Sequence, residues 1–366
     1  MKQQNIAFRV DASLEIGTGH LMRCLTLADA LREQGAVCRF ISRAHDGNLI
    51  ELIRQRGFET FALPVCEGFG VPKEAGQPAH AAWLGATWST DAQQTRTLLG
   101  DFDIDWLIVD HYALDARWER EVANACARVM VIDDLADREH DCAVLLDQNL
   151  GRDPSDYAGL VPSECKVLVG VKYALLRGEF ASMRAYSLAR RRHARLDTIL
   201  VTMGGVDKDN ATSAVLDALA DCPLPSGCRV IVLMGPRAPW LDAVRAKAVI
   251  MPRKTEVLVN ATNVAELMAE SDLSIGAAGS TSWERCAVGL PTFMLTLAFN
   301  QREVSAALRD TGAVEAFELG RHFKADFIAA ISRLNGDPQR LRHMSESSAR
   351  VCDGAGTNRV RSALLD

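Results

Sequence analysis

The chain has no uninterrupted apolar run that approaches the length of a membrane span. Its first residues, Met1-Lys2-Gln3-Gln4, lead directly into a predicted strand and lack the apolar segment and small-residue cleavage site of a secretory signal. These two absences predict a cytoplasmic protein that does not associate stably with a membrane.

The sequence also lacks a Cys-x-x-Cys pair, although it contains 10 cysteines. Structural zinc sites commonly take their thiolates in such pairs, so the spacing argues against one. Asp101-Phe102-Asp103 has the pattern of an Asp-x-Asp metal motif, but it precedes its predicted strand and so lies on the wrong edge of the sheet. We expect reduced structural cysteines, no metal and no cofactor.

A broad positive charge is missing as well. The net charge is −6 and aromatic residues make up 6% of the chain, without interleaving with basic ones. We therefore expect no nucleic-acid partner. The one basic run, Arg190-Arg191-Arg192-His193, has two interpretations: a contact with anionic lipid, or the solvated face of a linker, which we favour.

What is present is an alternation of short apolar runs and amphipathic helical segments, which is typical of parallel sheets covered by helices. Predicted strands lie at 5–10, 37–42, 60–63, 106–110, 129–133 and 143–146, and then at 199–203, 229–234, 248–251, 273–276 and 292–295. The pattern predicts an α/β fold with two doubly wound, Rossmann-like domains facing across a cleft. We expect a first domain over residues 1–178, a linker helix over 179–195, a second domain over 196–366, and a surface loop over 65–86.

A glycine-containing turn follows the first predicted strand. Gly17 and Gly19 precede a predicted helix whose free N–H groups and positive dipole end favour an anionic ligand. His20, in the first helical turn, exchanges protons near neutral pH and is a candidate general base. The alternative is a helix cap or packed histidine, and for this loop alone that is the commoner case. Met22 stands where a dinucleotide fingerprint needs its third glycine, which argues against NAD.

Small residues recur after strands of the second half. Gly204 and Gly205 either allow close approach to a phosphate or base, or form an ordinary turn, and the two readings are evenly balanced. The segment Gly279-Ser280-Thr281 offers backbone and hydroxyl donors suited to a diphosphate. Glu284, one turn later, favours a role in accepting hydrogen bonds from ribose hydroxyls over that of a solvated helical glutamate.

Two further groups of polar residues follow predicted strands. The amides of Asn300-Gln301 suit the hydroxyl or acetamido groups of a sugar. Val109-Asp110-His111-Tyr112 ends a strongly apolar strand, so His111 or Tyr112 either faces the cleft or forms a buried turn, with equal weight.

These motifs together resemble the PseG family, the UDP-2,4-diacetamido-2,4,6-trideoxy-β-L-altropyranose hydrolases of pseudaminic acid biosynthesis. The resemblance runs from the N-terminus to about Leu319, with a further typical motif at 353–360. It is carried by Arg9-x-Asp11, Ile16-Gly17-x-Gly19-His20-x-x-Arg23, Trp106 to Tyr112, Val131-Ile132-Asp133-Asp134, Leu145 to Asn149, Tyr173 to Arg177 and Met203-Gly204-Gly205.

The resemblance implies the GT-B architecture of glycosyltransferases related to MurG, with water in place of an acceptor. It implies His20 as the base that activates water, with Asp11 and Tyr112 around the reacting sugar. Asp11 is also expected to orient the His20 ring or raise its basicity. The residues expected to bind the UDP-sugar are Arg9, Gly17, Gly19, Gly204, Gly205, Gly279, Ser280, Thr281, Glu284 and Asn300.

The expected reaction is an inverting hydrolysis that needs no metal, and we expect the protein to be a monomer. Two other classes remain open at this stage. One is a GT-B glycosyltransferase that uses a sugar or lipid acceptor near His20, and the other is a nucleotide-sugar-binding protein without catalysis. Release of UDP without an added acceptor separates the first from a hydrolase, and absence of any turnover would favour the second.

Overall fold

The computed structural model describes residues 3–66, 76–298 and 301–365, and the chain divides into two compact units. The first unit comprises Met1–Leu175 together with Gly356–Asp366, and the second comprises Leu176–Ala355. Each unit contains one parallel sheet with helices packed against it. The predicted α/β class with two Rossmann-like domains is confirmed.

The elements are numbered along the chain. The strands are β1 Asn5–Val10, β2 Val37–Arg43, β3 Glu59–Leu63, β4 Trp106–Asp110, β5 Arg128–Ile132, β6 Val144–Asp147, β7 Lys166–Val169, β8 Thr198–Thr202, β9 Arg229–Met234, β10 Thr255–Val259, β11 Leu273–Ala277, β12 Thr292–Thr296 and β13 Val314–Glu318. The α-helices are α1 Gly19–Arg32, α2 Ile50–Gln55, α3 Trp88–Leu99, α4 Ala116–Val122, α5 Gly178–Arg190, α6 Ala211–Ala220, α7 Leu241–Ile250, α8 Val264–Glu270, α9 Thr281–Ala287, α10 Arg302–Asp310, α11 Phe323–Gly336, α12 Pro338–Val351 and α13 Gly356–Leu365. Short 3-10 helices cover Ala81–Leu84, Ala123–Ala125, Pro154–Tyr157 and Val171–Tyr173.

Both sheets are wound in the same way. Their strand orders are β3-β2-β1-β4-β5-β6-β7 and β10-β9-β8-β11-β12-β13, so the direction of winding reverses between β1 and β4 and between β8 and β11. Doubly wound folds bind ligands at the carboxyl ends of the strands beside this switch point. His20 and Tyr112 follow β1 and β4, while Gly204 and Gly279 follow β8 and β11. Each unit therefore carries candidate residues at its own switch point.

The central strands of the first sheet, β1 and β4, are buried on both faces, as expected for a parallel sheet between helices. Ile6 and Phe8 of β1 pack into one apolar cluster with Leu25 of α1. Leu107 and Val109 of β4 pack into a second cluster on the other face. The second sheet is covered in the same manner, and this rigid packing fixes the strand ends from which the candidate residues project.

One predicted strand is wrong. The apolar run 248–251 is the end of helix α7, and Val249 and Ile250 are 85% and 81% exposed. The strand lies further on, at β10. Four apolar residues fit the end of a helix as well as a short strand, and periodicity cannot separate the two over that length. Strands β7, β10 and β13 were not predicted.

The unit boundaries differ from those expected from the sequence at two places. The predicted linker helix is α5, which lies in the second unit, where Arg184 Nη1 donates hydrogen bonds to the carbonyls of Ala287 (2.6 Å) and Cys352 (2.8 Å). Helix α13, expected in the second domain, lies in the first unit, and Trp106 Nε1 donates to the Leu364 carbonyl at 2.9 Å. An apolar stripe on a helix predicts that the helix packs against a sheet, but it does not indicate which of the two sheets.

Candidate active site

The turn between β1 and α1 presents His20 at the switch point of the first unit. Gly17 has φ +81°, a conformation that favours glycine, and its N–H donates to the Ser13 carbonyl at 2.9 Å. The Ser13 hydroxyl accepts the N–H of Ile16 at 2.9 Å, which closes the turn. Gly19 is the first residue of α1 and has open space where a Cβ would lie.

His20 is held by a carboxylate from the end of β4. Its Nδ1 lies 2.6 Å from Asp110 Oδ1. Arg23, one turn further along α1, donates to both oxygens of Asp110 through Nε (2.6 Å) and Nη2 (2.7 Å). Arg23 reaches the same carboxylate as His20 because residues three positions apart lie on the same face of a helix.

The ionisation of Asp110 decides which nitrogen of His20 carries the proton. Burial alone would raise the pKa of Asp110, but the charges of Arg23 and His20 and their hydrogen bonds outweigh it and hold the pKa far below its usual range. An ionised carboxylate only accepts hydrogen bonds, so Nδ1 of His20 must be the donor. In the neutral ring Nε2 then has a free lone pair, as a general base requires.

Tyr112 stands against the His20 ring, edge to face, with 4.5 Å between ring centroids. Its hydroxyl donates to Asp134 Oδ2 at 2.8 Å, and Arg23 Nη1 donates to the same oxygen at 2.6 Å. Burial and the charge of Asp134 hold the pKa of Tyr112 well above its usual value, so the phenol stays protonated at neutral pH. Tyr112 is thus a neutral hydrogen-bonding group and not a base.

Asp11 does not take the place expected for it beside His20; Asp110 does. Asp11 accepts two hydrogen bonds from Arg9, at 2.6 and 2.9 Å, and one from the backbone N–H of Arg43 at 2.6 Å. Although burial opposes ionisation, the charge of Arg9 and contacts with His111 hold the pKa of Asp11 well below its usual range. Asp11 is fully buried and cannot touch a ligand directly.

The expected contact of Arg9 with substrate is also not possible in this structure. Its guanidinium is fully buried between Asp11 and Asp91, and Asp91 also accepts from Trp118 Nε1 at 3.0 Å. Alternation along β1 turns Arg9 toward the sheet face covered by α3, which carries Asp91. This buried cluster of ion pairs therefore holds the carboxyl end of β1 in place.

The two open readings of His111 and Tyr112 are now separated. His111 is buried, accepts the Ala113 N–H on Nδ1 at 3.0 Å, and places Nε2 3.3 Å from Asp11 Oδ2. Burial lowers the pKa of His111, so its ring is a neutral part of the ion-pair cluster. Tyr112 instead faces His20.

The second unit carries two glycine turns at its switch point. Gly204 has φ +85° and, like Gly205, has open space where a Cβ would lie. The Asp207 carboxylate accepts the N–H groups of Ala211 (2.9 Å) and Thr212 (3.0 Å) and so caps helix α6. Since these donors are occupied, the start of α6 is closed to an anion, and the turn before it offers only its own backbone.

The turn after β11 is open by comparison. Gly279 and Ser280 are exposed, and Ser280 makes no side-chain cap at the start of α9. Beneath the turn, the buried Arg285 donates from Nη2 to the Ala277 carbonyl at 2.7 Å and to the Ser282 hydroxyl at 3.1 Å. Its Nη1 occupies the space that a Cβ on Gly276 would need, at 2.0 Å.

Arg285 is a buried cation whose hydrogen-bonding groups are only partly used, although the charge of the neighbouring Glu284 attracts it. Burial lowers the pKa of Arg285 to about 10, which still leaves it charged at neutral pH. Among the described residues, no group hydrogen-bonds to its Nε or Nη1. A buried positive charge beneath a turn with exposed residues favours an anion at this turn.

Glu284 lies half-buried in the first turn of α9. Burial raises its pKa to about 7, against the opposing charges of Arg177 and Arg285. Within 3–66, 76–298 and 301–365, no residue hydrogen-bonds to its carboxylate. Glu284 is therefore partly removed from water, feels the charges of Arg177 and Arg285, and keeps its carboxylate oxygens free of hydrogen bonds from the described residues.

Asn300 lies outside the described residues, so its predicted contact cannot be placed. The neighbouring Gln301 accepts the Leu297 N–H on Oε1 at 2.9 Å and so closes its own loop. In the part of the chain that the structure describes, no three His, Cys, Asp or Glu side chains are grouped as a metal site. The same residues include no helix with both the length and the apolarity to cross a bilayer.

Several site residues were missed from the sequence. Asp110, Asp134 and Arg23 stand in the quoted motifs but were given no roles, since only the fold brings β4, the residue after β5 and α1 together. Arg285 was missed because an arginine inside an amphipathic helix usually faces solvent. Gly276, which its guanidinium requires, was the available signal.

Solved structures with a similar fold identify the architecture of the protein. The structure is similar to MurG of Acinetobacter baumannii, with a TM-score of 0.69, 15% identity and 99% of both chains covered. It is also similar to CalG4, the calicheamicin glycosyltransferase, with a TM-score of 0.60, 14% identity, and 100% and 99% of the two chains covered. The protein has the GT-B fold.

Three proteins of known sequence are similar to this chain over much of its length. The chain is 26% identical to the UDP-2,4-diacetamido-2,4,6-trideoxy-beta-L-altropyranose hydrolase of Campylobacter jejuni, covering 75% of this chain and 85% of the relative. It is 27% identical to the spore coat polysaccharide biosynthesis protein SpsG of Bacillus subtilis, over 56% of this chain and 60% of SpsG. An uncharacterised protein of Methanocaldococcus jannaschii is 24% identical over 81% of this chain, which spans 57% of that relative's length.

No protein-family model matches the chain. The resemblance to PseG that the motifs indicated is confirmed as a similarity over most of the sequence.

Proposed function

We propose that the protein hydrolyses UDP-2,4-diacetamido-2,4,6-trideoxy-β-L-altropyranose to UDP and the free sugar, as a step of pseudaminic acid biosynthesis. The observation that carries the proposal is the contact of His20 Nδ1 with ionised Asp110, at 2.6 Å. It gives the first unit a general base with its lone pair on Nε2. The similarity to the Campylobacter jejuni hydrolase supports the choice of substrate.

In the proposed reaction, water attacks the anomeric carbon on the face opposite the diphosphate. The new bond joins the water oxygen to that carbon, and the bond to the diphosphate oxygen breaks with its electron pair going to UDP. His20 Nε2 takes the proton from water, and Asp110 stabilises the imidazolium that forms. Attack from the opposite face inverts the anomeric centre.

Tyr112 is proposed to contact the reacting sugar. Its hydroxyl proton is engaged with Asp134, so its oxygen faces the ligand as an acceptor for a sugar hydroxyl or amide N–H. Asp11 and Arg9 act only as positioning residues, because they are fully buried and hold the end of β1. Gly17 and Gly19 shape the turn that presents His20.

The second unit is proposed to hold UDP. The turn Gly279-Ser280-Thr281, whose first two residues are exposed, would contact the diphosphate above the buried charge of Arg285. Glu284 would accept hydrogen bonds from the ribose hydroxyls. Gly204 and Gly205 would let the nucleotide approach the other turn closely. We propose that the protein acts as a monomer, without a metal or cofactor.

The test is release of UDP with no acceptor added, across a panel of UDP-linked diacetamido sugars. The proposal expects stoichiometric UDP and free sugar from the trideoxy-altropyranose derivative. A requirement for a sugar or lipid acceptor would instead establish the second candidate, a glycosyltransferase, which the likeness to MurG and CalG4 favours at the level of fold.

A further inference from the structure

A group of aromatic rings stands beside His20, and the function proposed above leaves most of it unused. His80 lies 4.2 Å from Trp83 and 5.5 Å from Tyr112, measured between ring centroids. Trp83 lies 6.0 Å from Tyr112 with its plane tilted by only 27°. We call His80, Trp83 and Tyr112 the aromatic wall; all three are half-buried.

A hydrogen bond joins the aromatic wall to the turn that presents His20. Trp83 Nε1 donates to Glu15 Oε1 at 3.0 Å, and Glu15 lies in the turn that leads to α1. The 3-10 helix that carries Trp83 ends at Gly85, which has φ +65° and whose carbonyl accepts the Cys66 N–H at 3.0 Å. The position of Trp83 is therefore set by contacts at the candidate site.

The polar hydrogens of Trp83 and Tyr112 are engaged with the protein. Trp83 Nε1 is engaged with Glu15, and the Tyr112 hydroxyl is engaged with Asp134. The remaining ring surface offers C–H and π contacts, which favour methyl groups and apolar sugar faces over hydroxyl groups. A hydroxyl placed against the face of the Trp83 ring, away from the Tyr112 oxygen, would lose water without gaining a partner.

We propose that the aromatic wall forms the sugar subsite and receives the methyl groups of the substrate, which makes Trp83 and His80 specificity-determining residues. The inference rests on the proposed function, whose sugar has a methyl group at C6 and two acetamido methyl groups. It predicts a preference for 6-deoxy, diacetamido sugars over sugars with a hydroxymethyl group.

The experiment compares two ligands, UDP-2,4-diacetamido-2,4,6-trideoxy-β-L-altropyranose and UDP-N-acetylglucosamine. Their dissociation constants are measured by calorimetry in the His20→Ala protein, which prevents turnover. Saturation-transfer NMR then reports whether protein aromatic protons contact the ligand methyl groups. The same measurements are made after adding Trp83→Ala, Trp83→Phe or His80→Ala.

A matched control is available in Trp88, which lies in the same unit at the start of α3, with the Arg117 guanidinium 5.5 Å from its ring centroid. Loss of one apolar contact in a sugar pocket changes affinity by about 10-fold or more. We expect Trp83→Ala to weaken the trideoxy ligand by about that factor, with loss of methyl saturation, and to weaken UDP-N-acetylglucosamine by less, since that ligand has a single acetamido methyl group and no methyl at C6. Trp83→Phe should keep most of the preference, and Trp88→Ala all of it.

The two proposals fail in different ways. If Trp83→Ala weakens both ligands equally, or lowers only the melting temperature, the wall is a packing feature and the inference is overturned while hydrolysis stands. If the protein with His20 intact releases no UDP, the proposed function fails. Methyl saturation that is present with Trp83 and absent in Trp83→Ala would still support the sugar subsite in that case, and its absence in both would overturn it.

Discussion

The switch points of the two units differ in how their charged side chains are bonded. In the first unit, the charged groups at the strand ends are paired with one another: Asp110 with Arg23 and His20, Asp11 with Arg9. In the second unit, the turn after β11 has small exposed residues, and among the described residues no hydrogen bond reaches the Glu284 carboxylate or the Nε and Nη1 groups of Arg285. Paired charges fix a geometry, whereas unpaired buried charges favour a ligand that satisfies them.

The largest effect expected from this difference is on turnover. His20→Ala removes the proposed base and should lower kcat by about 10²–10⁴-fold. The affinity for UDP should not change, because the nucleotide is assigned to the second unit. Single-turnover kinetics and UDP calorimetry separate the two quantities, with the exposed His193→Ala as a control. Near-normal turnover in His20→Ala would refute the assignment.

Asp110→Asn tests whether the pairing itself matters. The amide no longer requires a proton on His20 Nδ1, so the lone pair is not kept on Nε2, and kcat should fall by up to about 10⁴-fold, as for the orienting carboxylate of catalytic triads. The exposed Asp46→Asn serves as a matched control. If Asp110→Asn lowers only the melting temperature and leaves kcat intact, Asp110 is a structural residue.

Asp11→Asn should act on stability, since Asp11 is fully buried against Arg9. Removing one partner of a buried ion pair costs about 3–5 kcal/mol of unfolding free energy, measured by urea denaturation. Glu121→Gln, which breaks an exposed pair with Arg96, should cost less than about 1 kcal/mol. Equal losses in the two variants would show that the cluster around Asp11 does not brace the fold.

Glu284→Gln should weaken UDP binding by about 10-fold, because a charge-assisted hydrogen bond to ribose is lost. Burial raises the pKa of Glu284 to about 7, so the intact protein should also bind UDP less tightly at pH 6 than at pH 8. The variant should show no such pH dependence from this residue. Exposed Glu303→Gln is the control, and an unchanged dissociation constant in Glu284→Gln would remove the ribose contact.

The smallest effect is on stability without ligand. A carboxyl whose pKa is raised in the folded state takes up protons on folding, so it lowers stability as pH rises from about 4.5 to 7. Glu284→Gln should therefore raise the melting temperature at pH 8, by about 2–4 °C for each kcal/mol, and change little at pH 4. A lower melting temperature at pH 8 would mean that Glu284 has a partner in the free protein.

The fold was largely predictable from the sequence because buried parallel strands are short apolar runs, and β1, β4 and β9 lie at their predicted bounds. Strands with polar residues, such as β10, were not found. The position of helix α13 in the first unit could not be predicted either, because it depends on packing between segments that are far apart in the chain.

The site was predictable where one short segment carries it, as with the turn from Gly17 to His20. The partner of His20 was not, because Asp11 and Asp110 both end strands and only the register of β1 against β4 decides which one is near. The positions of Trp83 and His80 depend on a hydrogen bond to Glu15 that no sequence pattern signals.

The most direct test of the central claim, that water attacks the anomeric carbon of the UDP-sugar, is to run the reaction in ¹⁸O-labelled water and determine the masses of the products at early times. The account predicts UDP without label and sugar that carries ¹⁸O at the anomeric position. Label in the β-phosphate of UDP would show that the P–O bond is cleaved instead, and would contradict the account.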